Sequence, residues 1–224
     1  NKIFVLVGPP SVGKSHWVKE TFEEEPYVIS RDDIAKGVAK TYSTPDGTPW
    51  TYDDLFVSPP KEASEGEVDE NYGTVAPSPE WMTWQPFSYD KVMEANNKIQ
   101  ELFLQRVSEA VPSGKDIVVD MTNMNANSRK GALQAIEGSE KDYEKIAVVF
   151  NFEGAEEIIK KVAAKRAEAA KRKGESKTIP PEAFDRMFKA FQQVDPSEGF
   201  DEVVSVDSRE ELERIANESE EEVV

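Results

Sequence analysis

Gly8-Pro9-Pro10-Ser11-Val12-Gly13-Lys14-Ser15 decides how the rest of this 224-residue chain is read. The apolar run Ile3-Phe4-Val5-Leu6-Val7 precedes it and Trp17-Val18 follows, so a strand leads in and a helix leads out. G-x-x-x-x-G-K-[ST] in that setting is a phosphate-binding loop. A triphosphate needs a ring of backbone N–H donors, and glycines at both ends let the chain curl closely around it. A helix beginning near Gly13 adds the positive end of its dipole. Gly8, Pro10, Ser11, Val12, Gly13, Lys14 and Ser15 are therefore candidate nucleotide-binding residues. Lys14 is placed to reach the β- and γ-phosphates of ATP, and the Ser15 hydroxyl to ligate Mg²⁺. His16, the single histidine, fits a helix surface better than a catalytic role, although its ring could approach the nucleotide.

Composition narrows the classes. The length allows one elaborated domain with a sizeable core. There is no cysteine, hence no disulfide framework and no thiol chemistry. No apolar run approaches 18 residues and no signal-peptide pattern opens the chain, so a soluble, cytoplasmic protein without a membrane partner is expected. Asn1 in place of methionine reads as a trimmed or processed start. The net charge of −17 disfavours tight non-specific binding to nucleic acid. The charge is uneven: residues 160–177 hold eight basic and two acidic residues, leaving −23 for the remainder.

Apolar runs alternate with helical patterns, which predicts an α/β fold with a parallel sheet flanked by helices. Strands are expected at 3–7, 27–30, 116–120, 145–152 and 203–206. Helices are expected at about 14–23, 31–40, 89–111, 125–136, 155–173, 181–194 and 208–217. Ser208 and Glu211 have capping-box spacing. Residues 41–88 break the rhythm as a long insertion after the second strand, residues 165–178 read as a basic mobile lid, and 218–224 as a disordered acidic tail. Residues 1–217 would form one domain. Long insertions are usually functional or disordered. The aromatics of this one (Trp50, Tyr52, Phe56, Tyr72, Trp81, Trp84, Phe87) either stack bases, at about 1–3 kcal/mol each, or pack the insertion onto the body. Its middle, residues 61–71, carries five carboxylates and reads as exposed.

Ligands in open α/β sheets collect outside the carboxyl ends of the strands. Arg31-Asp32-Asp33 stands at such an end. Asp32 there suits a general base that accepts a proton from an attacking hydroxyl, with Asp33 as helix cap or supporting acid. Asp120 ends the third strand and either orders Mg²⁺ or caps a turn. Thr122, Asn123, Asn125 and Arg129 follow at once, and either hold substrate or supply turn hydrogen bonds. In the lid, Arg166 and Arg172 are candidates to neutralise transition-state charge over the β- and γ-phosphates.

Together, Gly8 to Trp17, Ser30-Arg31-Asp32-Asp33, Asp120-x-Thr122-Asn123-x-Asn125 with Arg129, and Lys177 to Met187 resemble the bacteriophage-type 5′-hydroxyl polynucleotide kinases. These lie within the P-loop kinase group that includes zeta-toxin-like kinases. The resemblance implies a P-loop kinase fold, ATP and Mg²⁺ as cofactors, Asp32 as general base and a lid arginine. It also implies that the sheet edge near Thr122 and Arg129 approaches substrate; Arg31, Asp33 and Asn123 are substrate candidates beside them. The expected partners are a nucleoside triphosphate and a nucleic-acid 5′-end or another hydroxyl-bearing acceptor. Ala35 departs from the pattern, for the phage kinases carry an arginine three residues after the base that holds the substrate phosphate. That departure keeps open a hydroxymethylated pyrimidine in DNA, a nucleotide-sugar or another small metabolite as acceptor. A nucleotide-binding module without turnover is the rival of another class.

Overall fold

The structure, a computed structural model, describes residues 1–44, 46–56, 79–139, 141–175 and 177–218; for residues 56 and 79–89 the backbone alone is described. The chain opens on β1 (Lys2–Val7), α1 (Lys14–Thr21), β2 (Tyr27–Ser30) and α2 (Arg31–Ala39). A 3-10 turn at Tyr52–Phe56 and the long α3 (Pro79–Ala110) come next. Then come β3 (Ile117–Asp120), α4 (Ala126–Ala132), β4 (Glu144–Asn151), α5 (Glu156–Arg172), α6 (Pro181–Ala190), β5 (Glu202–Asp207) and α7 (Arg209–Asn217).

The five strands form one parallel sheet in the order β2-β3-β1-β4-β5. A parallel sheet covered on both faces needs near-continuous apolar strands, and the alternation of side chains decides which face each residue feeds. Leu6, Val118, Val148 and Phe150 enter one core with α5, α6 and α7, while Ile3, Val5, Ile117 and Val119 enter the other with the end of α3. A third cluster fills the space between α2, the 3-10 turn and α3, and includes Ala35, Trp50 and Val92. Trp50 is buried and stacks on Tyr42 at 4.9 Å, so it packs the start of the insertion onto the body. Trp81, Trp84, Tyr72, Phe87 and the acidic stretch 61–71 lie outside the described residues or side chains, as does nearly all of the acidic tail.

The connection after β1 runs outward to β2, and the one after β3 crosses to β4 on the other side of β1. The carboxyl ends of β1 and β3 are therefore the switch point of the sheet, where a crevice opens. Trp17 fixes the first helix beside it, in edge contacts with Phe22 (5.8 Å) and Phe150 (6.1 Å). Among the described residues no helix is long and apolar enough to cross a membrane.

Three differences from the expected elements have identifiable causes. The helix expected from residue 89 begins at Pro79, where proline suits the first turn. The α6 helix stops at Ala190, four residues early, because the Gln192 N–H donates to the Met124 carbonyl at 2.7 Å. The capping box expected at Ser208 does not form, since Glu211 is taken by Arg214. A capping box forms instead at Asp195 and Glu198.

Candidate active site

The loop after β1 is shaped by sterics. A Cβ on Gly8 would meet Phe150 Cβ and Val12 Cγ1 at 3.0 Å each, so only glycine lets the chain leave the strand this close to β4. The Gly8 N–H donates to the Thr122 carbonyl at 2.9 Å, joining the β1 and β3 ends. Gly13 caps α1 at φ 103°, a left-handed conformation that side chains disfavour.

Beyond these strand ends lies a cavity of about 380 Å³. Pro10, Ser11, Gly13, Lys14 and Ser15 form one wall. Ser30, Arg31, Asp32, Asp33 and Lys36 from β2 and α2 line the cavity as well, with Asp120, Met121 and Thr122 from the end of β3 and beyond, and Ala163, Arg166, Ala167, Ala170, Lys177 and Ile179 from α5 and the link after it. Val12 is fully buried in the core, so it can offer the cavity its backbone alone, and His16 lies exposed on α1 outside the lining.

Lys14 extends into this space. Its ammonium donates to the Gly8 carbonyl at 2.9 Å and the Met121 carbonyl at 3.3 Å, and stands 3.9 Å from Asp120 Oδ1. Burial lowers its pKa, with Lys177 adding to the effect and Asp120 and Asp32 opposing it. Asp120 is pushed upward, chiefly by burial and then by the negative charges of Asp32 and Asp33, with Lys14 pulling the other way.

Asp32 stands in the first turn of α2, whose N-cap is Ser30: the Ser30 hydroxyl accepts from the Asp33 N–H at 3.3 Å. Ser30 thus does the capping that Asp33 was expected to do, and both acids stand in the first turn, where the helix dipole favours them. Asp32 Oδ2 accepts from Lys177 Nζ at 2.6 Å and Oδ1 from the Tyr52 hydroxyl at 3.1 Å. Burial alone would raise its pKa; the Lys177 charge and hydrogen bond, then Tyr52 and Lys14, outweigh burial and hold it below the ordinary carboxylate range. The same arrangement pushes the Tyr52 phenol well up, through burial and the Asp32 charge.

Two substrate candidates are corrected. Arg129 is wholly buried, bonded to Glu198 at 2.7 and 3.1 Å, to the Asn123 carbonyl at 3.0 Å and to the Gln193 carbonyl at 3.2 Å. A guanidinium with that many partners in the interior is a structural tie, and Arg129 is not among the residues lining the cavity. Asn123 is also buried, at φ 48°, and its amide donates to the Leu6 carbonyl at 2.8 Å. Asn125 caps α4 through the Ser128 N–H.

Of the two lid arginines, Arg166 lines the cavity, its pKa lowered by burial against the opposing charge of Glu211. Arg172, at the end of α5, is outside the lining. Residues 165–172 are the second half of α5, held to α7 by Lys165, which donates to the Glu218 carbonyl at 2.6 Å. Arg31 lines the cavity while donating to Gln100 at 3.0 Å.

A family model described as AAA domain matches residues 3–194. The chain belongs to that family. In fold it is similar to a solved structure described as a “putative kinase” from Chloroflexus aurantiacus J-10-fl, with a TM-score of 0.50 and 12% identity over 96% of this chain and 94% of that one. None of the curated proteins matches. The architecture is that of a P-loop kinase fold, a five-stranded parallel sheet flanked by helices.

Nucleotide and Mg²⁺ fit this cavity. The loop provides backbone donors at a helix start and one ammonium, which suits phosphate. Ser15 and Asp120 line the same space, and the carboxylates crowded near Asp120 carry negative charge that a cation would relieve. Mg²⁺ is commonly held by one or two side chains plus substrate phosphates and water. When bound, it would neutralise charge on the β- and γ-phosphate oxygens.

The sequence reading missed Lys36, Lys177 and Tyr52 as site residues. Lys36 is four residues beyond Asp32 and so on the same helix face, a signal that was available. Lys177 was visible as part of the basic island. Nothing local marks Tyr52, which reaches Asp32 through tertiary folding of the insertion.

Proposed function

We propose that this chain is an ATP- and Mg²⁺-dependent phosphotransferase that moves the γ-phosphoryl group onto a hydroxyl, most simply the 5′-hydroxyl end of a nucleic acid, with Asp32 as the base. The observation that carries the reading is the shared cavity: Asp32 lines the same space as Lys14 and Ser15, near enough for its charge to act on the Lys14 ammonium. In-line transfer needs the acceptor oxygen on the far side of the γ-phosphate from its leaving group, and a carboxylate across the cleft is where that hydroxyl would be oriented. Asp32 is ionised at neutral pH and therefore a weak base. That is adequate for phosphoryl transfer through a loose transition state, in which the acceptor proton departs late and positioning dominates. Lys14 and Arg166 would offset charge on the transferring group.

A second acceptor class is supported by one further observation. Ala35 is buried in an apolar cluster, so the position at which phage-type kinases carry a phosphate-binding arginine offers no cation here. Lys36 remains as a cation lining the cavity. A small hydroxylated metabolite, a nucleotide-sugar or a hydroxymethylated base would need less phosphate binding than a polynucleotide end. Transfer of labelled γ-phosphate in parallel to 5′-hydroxyl oligonucleotides, hydroxymethylated DNA and a metabolite panel separates the two. Exclusive labelling of a metabolite would remove the polynucleotide assignment, and labelling of nothing would leave a nucleotide-binding module.

A further inference from the structure

Asp32 is held by two elements outside the phosphate loop. Tyr52, in the 3-10 turn of the insertion, donates its hydroxyl to Oδ1 at 3.1 Å. Lys177, between α5 and α6, donates to Oδ2 at 2.6 Å while its ammonium lies 4.8 Å from the centre of the Tyr52 ring. The two elements are also tied to each other and to α2. The Thr178 N–H donates to Asp53 Oδ1 at 2.9 Å, and Glu175 pairs with Lys40 at 3.5 Å.

A carboxylate held on one oxygen can still swing about its terminal torsion, which is broad and roughly two-fold. Held on both, it cannot turn without losing a bond. Each oxygen has about two lone-pair sites, and one donor on each leaves the others for an incoming hydroxyl. From these contacts we propose that Tyr52 and Lys177 are positioning residues, which fix the Asp32 carboxylate for the acceptor. This rests on the reading of Asp32 as the base. The other charged groups around this clamp are Lys14 from α1 and Asp120 from β3, whose charges couple to Asp32, Arg166, Arg31, Asp33 and Lys36, which line the same cavity, and Asp53, whose charge acts on Tyr52. The clamp adds one cation and two donors to that set, all favouring the ionised carboxylate.

The test follows the Asp32 side-chain carbon by NMR across a pH titration of the full chain, in wild type, Tyr52→Phe, Lys177→Gln and Lys177→Arg, beside the pH profile of phosphoryl transfer. The Asp32 midpoint is expected to rise in Tyr52→Phe and further in Lys177→Gln, which loses a charge as well as a donor, and to return toward wild type in Lys177→Arg. The acid limb of kcat/KM should move in the same order. In Tyr52→Phe and Lys177→Gln, kcat should fall about 10- to 100-fold, with the KM for ATP little changed. Unmoved midpoints, or a limb that ignores moved midpoints while transfer continues, would overturn the clamp. Should Lys177→Gln fail to fold, Tyr52→Phe carries the test. If the midpoints shift and no acceptor is ever phosphorylated, the clamp stands and the transferase reading falls.

Discussion

Arg129 and Glu198 are joined by two parallel hydrogen bonds, Nε to Oε1 at 2.7 Å and Nη2 to Oε2 at 3.1 Å, with the guanidinium wholly shielded from water. They lie 69 residues apart and tie α4 to the connection before β5. Glu198 also accepts from the Asp195 N–H at 2.6 Å, so one carboxylate closes a capping box and neutralises a buried cation. Removing one member of such a pair strands the other and costs about 3–5 kcal/mol. Arg129→Met is therefore expected to lose stability on that scale in urea unfolding. Lysine cannot reproduce the planar fork, so Arg129→Lys should recover little of it. A substrate contact would behave oppositely, raising KM at unchanged stability.

The same pair sets a pH dependence. Glu198 titrates below the ordinary glutamate value of 4.5, because the Arg129 hydrogen bond favours its ionised form, burial opposes this and the Asp195 N–H adds to it. Since the folded pKa is the lower one, the contribution is complete above the unfolded value. It declines as pH falls, because the unfolded chain takes up its proton first, and it is gone below the folded pKa. Unfolding free energy measured from pH 7 downward should thus fall more steeply for wild type than for Glu198→Gln below about pH 4.5. Parallel curves would show that Glu198 is not the group responsible.

Gly13 stands at φ 103°, and a Cβ there would sit 3.3 Å from Ser208 Oγ at the start of α7. Left-handed backbone costs an L-residue about 1–2 kcal/mol. Gly13→Ala should lose about that much stability. It should lose proportionally more nucleotide affinity if Gly13 is, as proposed, one of the backbone donors of the loop. Isothermal titration with ATP beside thermal unfolding separates the two effects, and intact affinity would remove Gly13 from the nucleotide site.

The scaffold was legible in the sequence because it is written in local patterns. Ile3-Phe4-Val5-Leu6-Val7 and Ile117-Val118-Val119 are apolar runs between polar breaks, and a parallel strand buried on both faces has no other way to look. The phosphate loop was legible because glycine spacing is dictated by backbone approach. Arg129, Asn123 and Tyr52 were not, for a common reason. A polar residue after a strand reads as surface, and it becomes interior only when a distant partner folds over it. Arg129 needs Glu198, Asn123 needs the Leu6 carbonyl, and Tyr52 finds Asp32 only once the insertion packs on α2. The capping signature at Ser208 and Glu211 misled because Arg214, three residues along the same helix face, takes the carboxylate first.

Asp120 lines the cavity, 3.9 Å from the Lys14 ammonium. Asp120→Asn keeps the shape and removes the charge that would hold Mg²⁺, directly or through water. Nucleotide affinity in the wild type should rise as Mg²⁺ is added, and this dependence should flatten about 10-fold or more in Asp120→Asn. Fluorescence titration of a nucleotide analogue with and without chelator checks it. Equal Mg²⁺ dependence in both proteins would leave Asp120 as a structural partner of Lys14.

Asp32→Asn separates an enzyme from a binding module. The amide keeps size and can still meet the Tyr52 hydroxyl, but it loses the charge paired with Lys177 and the capacity to accept a proton. On the proposed reading nucleotide binds the phosphate loop rather than Asp32, so the Kd for ATP should change by no more than a few-fold. General-base catalysis is worth about 10²–10⁴, and transfer of labelled γ-phosphate to the acceptor should fall by that factor. Lys177, released from its partner, would be free to turn toward the phosphates. For that reason ATP affinity is expected to move slightly upward, if it moves at all. Loss of binding together with transfer would mean that Asp32 holds the fold of the cleft, and unchanged transfer would mean that another group takes the acceptor proton.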